Sequence, residues 1–156
     1  MYPTILALHS LVRWFVLVSL LYAIYRAYKG WLSGKKFSLH DNSARYWAVT
    51  FSHIQLVLGV WLYFISPIIH YFLHNYRVAV HQREIRFFGM EHGIMMIAAV
   101  SILTTGSVKS KQKATDNEKF RTMAIWFSIA LVIIFISIPW KFSPFTSRPY
   151  FRWGNF

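Results

Sequence analysis

Five ionisable residues lie inside stretches that are otherwise apolar: His9 and Arg13, His53, and Glu91 with His92. An imidazole can ligate a transition metal, carry a proton or hydrogen-bond across helices, and a guanidinium grips a carboxylate in a fixed fork. His9 and Arg13 are spaced i,i+4, so a helix presents both from one face, with Val16 and Leu20 continuing it. His92 shares its helical face with Phe88, Gly89, Met95, Met96 and Ala99, and Gly89 with Gly93 forms a small-xxx-small pair that admits another backbone or a flat ligand. His53 stands beside Thr50 and Val57, whereas Ser52, Gln55 and Gly59 make a second strip turned away from it. In hydrocarbon such groups are costly unless paired or liganded, so they are candidates for holding something.

The most economical ligand is an iron macrocycle with two axial imidazoles, which requires both at one height, on opposite sides of the ring, each with its second nitrogen hydrogen-bonded elsewhere. His9 and His92 each lie about five residues into their apolar runs, counted from the same boundary, while His53 is nearer the middle of its own. His9 with His92 therefore fits best, His53 with His92 is the alternative, and Arg13 suits a haem propionate. Two other readings explain the same residues. The histidines serve as interhelical hydrogen-bond donors with Arg13 and Glu91 as an ion pair, or His, Glu91 and Arg13 form a proton or metal relay. No CxxCH or HExxH motif is present to sharpen the choice.

The elements that must position these residues are membrane helices. The chain has 156 residues, 56% apolar and 14% charged, which excludes disorder, and no Cys, which excludes disulfides and thiolate metal sites. A bilayer core needs about 20 apolar residues at helical rise. Four runs qualify, over 4–25, 46–69, 87–108 and 122–140. They do not alternate as barrel strands would. The expectation is a single all-α domain, an integral membrane four-helix bundle with helices near 4–26, 44–68, 84–108 and 116–139. Pro3 suits a first turn, residues 41–43 offer N-caps for the second helix, and Thr115 with Glu118 has capping-box spacing for the fourth. Pro67 and Pro139 are expected to end or kink helices two and four. With no basic segment ahead of the first run and no small-residue cleavage site after it, that run is expected to stay in the membrane.

The net charge of +12 would indicate nucleic acid in a soluble protein, but here the basic residues fall between apolar runs and set topology. The first and third connections carry ten Lys and Arg against six on the opposite side, so the positive-inside rule puts both termini outside, in the periplasm of a Gram-negative cell. The second connection, 69–81, mixes apolar and basic residues as a surface-lying segment or lid would, and its His70 and His74 have helical metal-ligand spacing. The aromatic tail from Trp140 to Phe156 is expected along the interface or on a partner.

Leu8-His9-Ser10 with Arg13-Trp14, His53-Ile54-Gln55-Leu56, Phe87-Phe88 with Glu91-His92, and Ile138-Pro139-Trp140 resemble small four-helix membrane proteins of Bacteroidetes-type bacteria that are labelled cytochrome b. The resemblance runs over nearly the whole chain. It implies a b-type haem in the bacterial inner membrane held by intramembrane histidines, and it marks His9, Arg13, His53, Gln55, Glu91 and His92. Gly93 and Lys141 stand where prolines would be expected. The implied function is single-electron transfer, with quinol as a speculative donor and a respiratory or other membrane complex as partner. A scaffold subunit of such a complex and a small transporter are the alternatives, and a homodimer is compatible with the aromatic-rich outer faces.

Overall fold

The computed structural model describes residues 1–140, and expectations that fall on the tail beyond Trp140, including Lys141, Arg148, Arg152 and Trp153, lie outside the described residues. Helix α1 runs from Tyr2–Ser33 with Pro3 in its first turn, and it ends at Gly34, whose φ of 62° is the left-handed conformation that frees its N–H for the Gly30 carbonyl. Its 32 residues make it about 48 Å long at 1.5 Å per residue, longer than a bilayer core. The helix therefore continues past the expected end near 26 and carries Arg26 and Lys29 beyond the apolar stretch.

Helix α2, Leu39–Ile65, starts earlier than expected. Its N-cap is Ser38 rather than any of residues 41–43: the Ser38 hydroxyl accepts the Asp41 N–H, and the Asp41 carboxylate accepts the Ser38 N–H at 2.9 Å. Asp41 is thus the acidic half of a capping box. Pro67 lacks an N–H and disfavours helical geometry at the residue before it, so α2 stops at Ile65 and Pro67 opens a new helix, α3, Pro67–His74. Two single turns follow, α4 at Tyr76–Ala79 and α5 at Arg83–Arg86. A π-helical turn, Phe87–Glu91, then leads into α6, His92–Gln112, so the third apolar segment is one continuous span, Arg83–Gln112. Helix α7, Asp116–Ser137, has the expected Thr115–Glu118 capping box.

Four helices are long and apolar enough to cross a membrane, and no strand occurs among the described residues, so the protein is a multi-pass all-α membrane protein. Helix α1 packs on α2 and α7, and α6 packs on α7 and more lightly on α2. The buried seam repeats every three or four residues: Val16, Leu20, Ala23, Ala27 and Gly30 on α1 face Phe120, Ala124, Phe127, Ala130 and Ile134 on α7. Small side chains dominate because helices in lipid gain nothing from hiding Leu from Leu, and close backbone approach supplies the dispersion contacts instead. Gly106 illustrates this, since a Cβ there would collide with Trp126. Val18, Leu21, Val57, Phe64, Ile97 and Val132 point outward, as lipid contact requires.

The filling is uneven along the bundle. On α1 nothing before Val16 is buried, on α2 only Leu58 is buried beyond Ser52, and on α6 nothing is buried between His92 and Ala98. Alanines fill one half of the bundle, and at the end that carries His9, Arg13 and His92 the buried residues include Phe87, Gly89, Ile134 and Ser137.

Candidate functional site

His9 lies two turns into α1 and His92 opens α6, so antiparallel and parallel neighbours bring them to the same end of the bundle. Their ring centroids are 6.5 Å apart with the planes at 72°. No hydrogen bond joins the two rings. Arg13 stands one turn further along α1 on the face of His9, and its guanidinium lies 5.5 Å from the Trp14 ring.

Each ring is set by its own helix neighbours. The Nδ1 of His92 is 2.9 Å from the Ser137 carbonyl, and a carbonyl only accepts, so His92 carries its proton on Nδ1 and leaves Nε2 as a lone pair. Ser137 is in the last turn of α7, where carbonyls have no intrahelical donor. The neighbouring orphan carbonyl is treated in the same way: Pro139 has no N–H to give Phe135, and the Trp140 indole N–H bonds that carbonyl at 2.8 Å. The Ser137 hydroxyl donates its proton to the Ile133 carbonyl at 2.6 Å, and the Met95 sulfur lies 3.4 Å from the same oxygen, so α6 meets α7 beside His92.

His9 is held from α2. The Gln55 amide donates to the His9 backbone carbonyl at 3.0 Å, and Gly59 faces the imidazole: a Cβ at Gly59 would lie 3.3 Å from His9 Cε1. His9 Nδ1 is buried with no hydrogen-bond partner among the described residues. An imidazole nitrogen buried in this way forfeits its hydration without return unless a ligand takes its place.

The remaining expected site residues divide clearly. Glu91 pairs with Arg86 at 2.6 Å rather than with Arg13, which fixes the π-helical turn that precedes His92. Gly89 is used by packing: a Cβ there would collide with the Phe72 ring of α3, and the Tyr63 hydroxyl donates to the Gly89 carbonyl at 3.1 Å. Gly93 has open space where a Cβ would be, directly after His92. His53 is exposed on the outer face, and its Nε2 is 2.9 Å from Thr104 Oγ1. The Thr104 hydroxyl donates to the Val100 carbonyl at 2.7 Å, so its oxygen accepts the His53 Nε2–H. Thr104 is twelve residues along α6 from His92, about 18 Å at helical rise, which sets His53 apart from the His9–His92 pair.

Sequence reasoning did not single out Ser137 or Arg86 and placed Gly59 only on a helix strip. Ser137 was accessible in principle, because a proline two residues later announces a helix end with carbonyls to satisfy. No group of three or more His, Asp or Glu able to hold a metal ion occurs among the described residues. His70 and His74 stack at 4.0 Å between centroids, with His74 Nδ1 donating to the His70 carbonyl at 2.8 Å. No protein-family model matches the chain, and no curated protein or solved structure matches it.

Proposed function

We propose that the protein is a membrane cytochrome of b type, with His9 and His92 as the axial ligands of one haem and Arg13 holding a propionate. The observation that carries this reading is the spacing of the two rings. Two imidazoles bound to one iron, each nitrogen about 2 Å from the metal, have ring centroids roughly 6.3 Å apart. The 6.5 Å between the two centroids lies close to that value, and an interplanar angle of 72° is compatible with two planes that twist about a shared axis. His92 has the tautomer a ligand needs, fixed by the backbone carbonyl of Ser137. His9 is held in place from α2, through the Gln55 amide on its backbone carbonyl.

Haem, when bound, supplies the one-electron redox chemistry. The chain's residues provide the rest. His92 and His9 orient their rings from two helices, Arg13 adds positive charge beside both, and the apolar helix faces lower the dielectric around them. The site lies at the end of the bundle that bears the N-terminus; the excess of Lys and Arg in the first and third connections supports an orientation with this end outside the cytoplasm, and the reading takes a lipid-soluble quinol as donor. The transport reading has less support: His53, set about 18 Å from His92 by its Thr104 bond, leaves no continuous file of titratable groups. A reduced-minus-oxidised spectrum with a pyridine haemochrome assay on the detergent-purified protein tests the reading. A sharp b-type α band with close to one haem per chain is expected, and a protein that stays colourless after haem supplementation would refute it.

A further inference from the structure

The opposite end of the bundle, where α1 meets α2 at the 34–38 connection, carries two adjoining clefts that the cytochrome reading does not use. One, about 120 Å³, is lined by Tyr22, Tyr25, Arg26, Lys29, Lys35 and Asp41. The other, about 190 Å³, shares Tyr22 with it and is lined also by Ser19, His40, Ser43, Ala44 and Trp47.

The charges in the first cleft do not cancel. Arg26 Nε and Nη2 both bond Asp41 Oδ1, at 2.8 and 2.7 Å, while Asp41 Oδ2 accepts the Ser38 N–H at 2.9 Å and the Ser38 hydroxyl at 2.6 Å. The carboxylate is thereby saturated and Arg26 neutralised. Lys29 and Lys35 remain, and neither has a carboxylate within 4.0 Å among the described residues. Lys29 donates only to the Tyr25 hydroxyl, at 3.2 Å. Three cations against one carboxylate leave two positive charges in the cleft. The second cleft is mostly apolar, with Trp47, Ala44 and the Tyr22 ring as its walls and His40 and Ser43 at its rim. From Trp47 an apolar ladder runs along the outer face, Trp47 on Phe51 at 5.5 Å and Phe51 on Phe15 at 5.7 Å between centroids.

We propose that these two clefts, which share Tyr22, together bind an anionic phospholipid, its phosphate between Lys29 and Lys35 and an acyl chain along Tyr22, Trp47 and Phe51. A basic pocket beside a lipid-facing apolar groove, at the level of the headgroups, is the arrangement that selects an acidic lipid over a zwitterionic one, because the choline cation of the latter would meet two uncompensated lysines. A free phosphate would satisfy the lysines and leave the groove without a role.

The test is a titration of delipidated, detergent-purified protein with phosphatidylglycerol, phosphatidylcholine or inorganic phosphate, read by native mass spectrometry. Phosphatidylglycerol is expected to bind and the other two not. Each interfacial lysine contributes about fivefold in affinity, so the K29Q/K35Q double variant should weaken phosphatidylglycerol binding roughly 30-fold. The K111Q/K113Q variant, which removes the same charge from the same face outside the clefts, should leave it unchanged. Equal weakening in the two variants would reduce the site to diffuse surface charge and overturn the proposal. Equal binding of the two lipids, or binding of phosphate alone as tightly as the acidic lipid, would overturn it as well. Lys29 and Lys35 are exposed, so folding of both variants is checked by elution volume and far-UV circular dichroism.

Discussion

Gly59 offers a graded probe of the haem site, because it touches His9 and neither Arg13 nor His92. A Cβ at this position lies 3.3 Å from His9 Cε1 and 3.9 Å from Nδ1, a few tenths of an ångström inside comfortable contact. Gly59→Ala therefore asks the imidazole for a small shift, while the substitution gains about 0.5–1 kcal/mol of helix propensity, so its net effect on stability is close to zero. Gly59→Val adds two methyl groups directed at the ring and cannot be absorbed in this way. Overpacking of that kind costs about 1–3 kcal/mol, and if the ring is a ligand the cost falls on ligation, weakening haem affinity roughly five- to 150-fold. The assay is titration of apoprotein with haemin, followed by absorption, for the wild type, Gly59→Ala and Gly59→Val, with thermal unfolding of the apoproteins measured alongside. The account expects loss of affinity and of low-spin character in Gly59→Val beyond any change in apoprotein stability. Unchanged affinity and spectrum in Gly59→Val, with the apoprotein destabilised, would show that His9 packs but does not ligate.

Three further outcomes follow from the same geometry. His53→Ala should leave haem content and spectrum intact, since His53 bonds Thr104 on the outer face, and loss of haem in that variant would make it a ligand instead. Trp140→Phe removes the indole N–H that bonds the Phe135 carbonyl and should destabilise the folded protein by about 1–3 kcal/mol, read by denaturant or thermal unfolding in detergent. Thr115→Ala dissolves a capping box and should cost about 1 kcal/mol, with no effect on the spectrum.

Much of this arrangement was legible in the residues themselves. Run length and missing charge gave the four spans, and capping-box spacing placed the start of α7 at Thr115. Equal depth in two apolar runs matched His9 with His92, while His53, kept as the alternative partner of His92, bonds Thr104 instead. The misses have physical causes. Ser38 took the cap of α2 because Asp41, read as a cap itself, serves three residues later as the acidic half of a Ser38–Asp41 capping box, a local pattern that was present in the sequence. The π-helical turn at Phe87–Glu91 depends on the Arg86–Glu91 pair and on Phe72 seated against Gly89. Gly89 looked like room for a ligand, but tertiary packing spends that room on α3, and the open space falls at Gly93. Backbone acceptors such as the Ser137 carbonyl leave almost no trace in side-chain identity, although Pro139 marks where they occur.

The central claim is that His9 and His92 share one iron. The most direct measurement is the electron paramagnetic resonance and absorption of the oxidised, haem-loaded protein beside His9→Ala and His92→Ala, each purified with haem supplied. The account expects a low-spin bis-imidazole signature in the wild type and its conversion to high-spin, or loss of haem, in both single variants. A low-spin signature that survives unchanged in either variant would contradict it.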